Sequence, residues 1–407
     1  HLHRTSSTFR IALLAALAIT AGCGEHRDET AADLVLENGS FYTVDDARSW
    51  AQAVAITKGR FSYVGNDAGA RAFIGPNTRV VDLDGRMVLP GMFDVHIHAL
   101  GSGLEVLACD LSTEVILEEH GEFPEDAVGE YLARIKRCAE DQPDAEWITG
   151  AGWLMDAFGP GAKASRKLLD EIVPDRPVYI ETSDGHTAWV NSKALEIAGI
   201  TAETPDPPDG IIDREPGSRV PLGSLQEHAQ DLVEHLIPPP DLETKTAALQ
   251  YAVHMLNEYG ITSIQDAKTY RHFLDGYRAL DDRGELTLRV VAANNWDTSR
   301  GMEQLEEMRQ VRETYTSGNF RATSVKIWLD GVMENYTAAM LEPFLVEGEP
   351  RGMLMMEPDD LKEAIIALDD AGFQVHIHGI GDRAVRESLD AFEAARETNG
   401  VTDTRHH

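Results

Sequence analysis

The 407-residue chain carries 36 Lys plus Arg against 69 Asp plus Glu, so 36 − 69 gives a net charge of −33. A charge of that sign repels phosphate and excludes a nucleic-acid binder, and it disfavours docking on anionic lipid headgroups through the surface. Hydrophobic residues at 43% suffice for a packed core, and three cysteines are too few for a disulfide scaffold.

The first 23 residues do not look like part of a fold. His1, His3, Arg4 and Arg10 precede an apolar run, Ile11 to Ile19, too short to span a bilayer, and Thr20-Ala21-Gly22-Cys23 follows. That order predicts a secretory signal, and a cysteine after small residues resembles a bacterial lipobox, with Cys23 as the lipidation site. Thr20 departs from the leucine-like residue usual there. Residues 24–32 read as a polar tether. The expected location is therefore the bacterial periplasm or a membrane-anchored lipoprotein, with membrane contact only through that anchor. In an oxidising compartment the remaining pair, Cys109 and Cys138, forms either a disulfide or two buried thiols.

Residues 33–87 alternate short strands with turns, including a hairpin around Lys58-Gly59, and predict a small N-terminal β-domain of sandwich type. From residue 88 strands alternate with helical stretches, the pattern of a parallel sheet. Val88 to His98 is the first such strand. Helical periods cover 127–139 and 164–173, and a strand ends at 178–182. A Pro- and Asp-rich excursion spans 201–221, and a long helix covers about 243–258. Strands then fall at 261–266, 288–293, 324–330 and 373–378, with helices at 358–371 and 382–397. Asp382 suits the N-cap of the last helix.

Asp94-Val-His96-Ile-His98 ends an apolar strand. The two-residue period aims both imidazoles to one side, where they can share a divalent cation. On Ser324 to Asp330, Lys326 and Trp328 share one face and Val325 and Ile327 the other. A lysine aimed into a barrel is costly as an ammonium, and its neutral amine can add carbon dioxide. The alternatives are a lysine snorkelling from the strand end or pairing with Asp330. His376 and His378 repeat the two-residue spacing. His186 can reach a substrate or merely cap the next helix; Trp153 is either a pocket wall or core.

Several segments together resemble the amidohydrolase superfamily, in its YtcJ-type branch (amidohydrolase family 3). They are Leu89-Pro-Gly-Met-Phe-Asp-Val-His-Ile-His98, Asp184-Gly-His-Thr-Ala-Trp-Val-Asn-Ser-Lys-Ala-Leu195, Gly260 to Asp266, Lys326-Ile-Trp-Leu-Asp-Gly331 and His378-Gly-Ile-Gly-Asp-Arg-Ala384. The resemblance implies a TIM-like (β/α) barrel over 88–407, with 99–258 inserted between its first and second strands. It implies His96, His98, N-carboxylated Lys326 and His378 as ligands of one or two divalent ions, zinc suiting such donors. His376 would be a neighbour one layer deeper; His186, Trp153 and Asp330 would line the substrate site.

The implied activity is hydrolysis of a non-peptide carbon–nitrogen bond in a small molecule by metal-activated hydroxide. The family's general-base aspartate and sixth-strand histidine fall beyond His407, so the barrel reads as incomplete and this chain as lacking most activity. The alternative is a catalytically incomplete metal-holding lipoprotein that binds a small ligand. No Gly-x-Gly-x-x-Gly follows a strand and no Gly-x-Ser-x-Gly is present, against a Rossmann oxidoreductase or a serine hydrolase.

Overall fold

A computed structural model describes residues 31–407, except 48, 123, 160–162, 347 and 349. The signal-like start, Cys23 and most of the tether lie outside the described residues. Two compact units form, one ending at Pro90 and the other comprising Gly91–His407.

In the first unit, Arg60–Gly65, Ala53–Thr57, Leu34–Glu37 and Arg79–Asp82 make one sheet in that order; Trp50–Ala51, Ser40–Tyr42 and Met87–Val88 make another. Lys58 and Gly59 close the expected hairpin with φ of 50° and 74°, the positive values that a tight two-residue turn needs. Val35, Ala53, Ala55 and Ala70 form its small core.

The second unit is built on an all-parallel sheet whose strands are neighbours in chain order: Met92–Ile97, Ile261–Thr269, Arg289–Asn295, Phe320–Trp328 and Gln374–His378. Strand parity sorts its residues. Val325 and Ile327 pack with Leu361, Ile365, Leu368 and Phe373 on the helical side, which leaves Ser324, Lys326 and Trp328 on the other face. In the register with the last strand, Lys326 stands beside His376 and Trp328 beside His378. A second apolar cluster joins the helices Leu242–Glu258 and Leu274–Asp282 to the second, third and fourth strands.

Residues 99–258 contain a separate six-stranded sheet, ordered Gly210–Arg214, Pro221–Glu227, Thr187–Val190, Val178–Thr182, Ile148–Trp153 and Cys109–Asp110. Only Val178–Thr182 was legible among them. Ile148–Trp153 hides because its glycines read as turns, yet they are there for clearance. A Cβ on Gly150 would run into the Cys109 carbonyl, and Gly152 has φ 104° against the Leu111–Ser112 backbone. Cys109 and Cys138 form a disulfide that ties the edge strand to the helix Ala127–Asp141. Asp382 differs from its expected cap role. Gly381 is the N-cap, and Asp382 Oδ1 accepts from the Leu341 N–H at 2.8 Å, because the incoming loop supplies an orphan donor there.

Candidate metal centre and its cavity

His96 lies near the end of the strand Met92–Ile97, where Asp94 Oδ1 accepts its backbone N–H at 3.0 Å; His98 is the N-cap of the helix Ala99–Leu107. Their rings are 5.5 Å apart. His376 Nε2 lies 3.1 Å from His96 Nδ1, and the two rings are 4.7 Å apart. Lys326 is buried and makes no hydrogen bond or ion pair with a described residue. Burial, helped by the nearby Lys268 charge, pulls its ammonium down to about 7.

The histidines around it share that pressure. Burial first, then Lys326 and its neighbours, lowers His98 to about 4 and His376 to about 2. His96 is lowered by the same two causes in the same order. For His378, burial, His186 and then Lys326 lower it to about 3. Its Nε2 lies 3.3 Å from the Gly331 carbonyl and 4.0 Å from Asp330 Oδ1.

Neutral imidazoles around an amine that sheds its proton near neutrality form a lone-pair-rich set. His376 Nδ1 is buried with no hydrogen-bond partner among the described residues. Such a set fits a divalent cation of borderline hardness better than it fits a structural polar cluster, which would pair its atoms internally. Among the described residues no three of these histidines bring their ligand atoms within 4.8 Å of one another; the one trio of His and acidic residues that does is Glu119, His120 and Glu130. It is surface chemistry, since Arg134 pairs with both Glu119 and Glu130.

Beside the centre is a cavity lined by Glu181, Glu227, Asp231, Glu234, Lys268 and Trp328, among others. Lys268 Nζ sits 3.9 Å from the Trp328 ring centre and 5.1 Å from that of Tyr270, an arrangement that stabilises the cation through the ring faces. Burial lowers its pKa, while Glu234, Glu181 and Asp231 oppose that shift. Burial and the Glu234 charge push Glu181 up to about 8, so it is largely neutral at pH 7.

The other expected residues divide. His186 is brought to the centre, its ring 5.1 Å from His378. Trp153 is not. It is fully buried in the inserted sheet's core, with its indole N–H donated to the Ile180 carbonyl at 3.0 Å. Asp330 is fully buried with its oxygens taken by the backbone N–H groups of Ala339, Ile380 and Gly381, so it orders loops and pairs with no lysine. His376, expected as a neighbour one layer deeper than His378, stands against His96. Lys268 and Glu227 escaped the sequence reading. Lys268 was missed because the strand runs to Thr269 rather than stopping at Asp266, and strand-end residues are the ones that face a site.

Residues 79–407 match the amidohydrolase family. The protein LONG AFTER FAR-RED 3 of Arabidopsis thaliana is 30% identical over 387 residues, which cover 92% of this chain and 63% of the plant protein. This chain thus spans less than two thirds of that relative's length. An N-substituted formamide deformylase of Arthrobacter pascens is 26% identical over 377 residues, covering 91% of this chain and 67% of that one. A solved metal-dependent hydrolase of Pyrococcus furiosus superposes with a TM-score of 0.64 at 25% identity, over 89% of this chain and 70% of its own.

Proposed function

The chain belongs to the amidohydrolase family, and from that premise we propose that it is a metal-dependent hydrolase of a non-peptide, amide-type carbon–nitrogen bond in a small molecule. The observation that carries the proposal is the buried, unpaired Lys326 among neutral histidines on one face of a parallel sheet. The parallel sheet is read as part of a TIM-like barrel, whose strand ends are where this fold builds its sites.

In this reading His96, His98, Lys326 and His378 would hold one or two divalent ions, zinc by preference, with His376 orienting His96. A bound divalent ion supplies Lewis acidity, polarising a carbonyl and acidifying water. With a pKa of about 7, Lys326 is about half neutral at physiological pH. Its amine can attack carbon dioxide and release a proton, giving a carbamate whose oxygens suit such ions. Lys268, Tyr270 and Trp328 wall the space where the rest of the substrate would lie. The related formamide deformylase supports an amide-type substrate. We further propose export to the periplasm with Cys23 lipidated; the Cys109–Cys138 disulfide supports an oxidising compartment.

The test is metal analysis of the purified protein, combined with turnover of N-substituted formamides and other small amides with and without a chelator. Stoichiometric metal and chelator-sensitive amide hydrolysis are expected. A protein that binds no divalent ion, or that turns over amides equally well without one, would reject the reading.

A further inference from the structure

Glu227 ends the strand Pro221–Glu227 of the inserted sheet, with its side chain 1% exposed. Its carboxylate accepts from His186 Nδ1 at 2.7 Å and from the Thr337 hydroxyl at 2.6 Å. Thr337 follows the strand Phe320–Trp328, so this one carboxylate links the inserted sheet to the loop that carries Gly331. The Glu227 backbone itself adopts φ 51°, the left-handed region, in a residue that is not glycine. Such a conformation persists only where the surroundings hold it, and it clusters at working sites.

A carboxylate only accepts hydrogen bonds. Nδ1 of His186 therefore carries a proton, and Nε2 is the ring nitrogen left to meet a ligand. Nε2 has no hydrogen-bond partner among the described residues. The ring packs 4.7 Å from Trp328, which lines the cavity, and 5.1 Å from His378. A ring nitrogen with no partner among the described residues thus stands beside both the cavity wall and the candidate centre.

We propose that Glu227 is a positioning residue that locks His186 in the Nδ1–H tautomer, so that Nε2 accepts a hydrogen bond from the substrate's N–H. The pair then selects amides that carry a hydrogen on the scissile nitrogen. This deepens the amide-hydrolase reading and rests on it.

Two measurements test it. Long-range proton–nitrogen correlation spectra read the His186 tautomer directly, in the metal-loaded protein. The Nδ1–H form is expected in the wild type and in Glu227→Gln, whose amide oxygen still accepts from Nδ1, and the Nε2–H form in Glu227→Ala. The second is the ratio of kcat/KM for an N-monosubstituted formamide to that for its N,N-disubstituted counterpart. The wild type should favour the N–H substrate by about tenfold or more, Glu227→Gln should keep that preference, and Glu227→Ala should lose it. Should Glu227→Ala not fold, His186→Phe keeps a ring against Trp328 and must lose the same preference. An Nε2–H tautomer in the wild type, or an unchanged preference in these variants, overturns the proposal. Failure of every form to hydrolyse any amide would reject the amide reading instead, and the tautomer would still decide the positioning role.

Discussion

His376 Nε2 lies 3.1 Å from His96 Nδ1, although the two residues are 280 positions apart and their strands are the opposite edges of the five-stranded sheet. A flat sheet would hold its edges about four strand spacings of ~4.8 Å apart. The sheet must therefore curl enough for side chains on its two edges to touch, and that curl brings His96 and His98 within reach of the Lys326 charge.

In the proposed centre that amine is a ligand. Lys326→Ala should lose at least half of the bound metal and about a hundredfold or more of kcat/KM. Plasma mass spectrometry of the purified variant reads the first and amide turnover the second. Metal stoichiometry equal to the wild type would remove the lysine from the site.

Asp266 is 1% exposed and accepts from the Tyr277 hydroxyl. Burial outweighs that hydrogen bond and raises its pKa to about 6. A raised pKa in the folded state means that its contribution is full below the unfolded value near 3.9 and is lost as pH rises through 6. The stability difference between wild type and Asp266→Asn should therefore fall by about 2 kcal/mol between pH 4 and 7. Urea titrations across that range measure it. A difference that does not change with pH would contradict the assignment.

The Cys109–Cys138 disulfide closes a loop with a sequence separation of 29. In the chain-entropy account that constraint is worth roughly 3 to 4 kcal/mol. Cys109→Ser with Cys138→Ser should lower the urea midpoint accordingly, and reductant should shift the wild type toward the double variant. A midpoint indifferent to both would show that the bond contributes nothing.

Gly331 has no room for a side chain. A Cβ there would collide with the Thr337 hydroxyl and the Glu227 carboxylate, and the Gly331 carbonyl faces His378 Nε2. Gly331→Ala should destabilise by about 1 to 3 kcal/mol and should lower kcat/KM by more than that loss of folded protein explains. Comparing denaturation midpoints with turnover separates the two effects. Unaltered turnover would mean that the loop can yield without disturbing the site.

Much of this was legible locally. The two-residue period placed Lys326 opposite Val325 and Ile327, and alternating strands and helices announced a parallel sheet in chain order. The motif residues carried the family. What the sequence by itself could not reach was anything set by curvature or by distant packing. The contact of His376 with His96 depends on how far the sheet curls; the burial of Trp153 and Asp330 depends on which elements cover them. The Glu227–His186–Thr337 link joins residues 41 and 110 positions apart. Periodicity reports only which face of its own strand a side chain takes. Which faces then meet is decided by the burial of apolar surface over the whole unit, and that is a property of the folded chain alone.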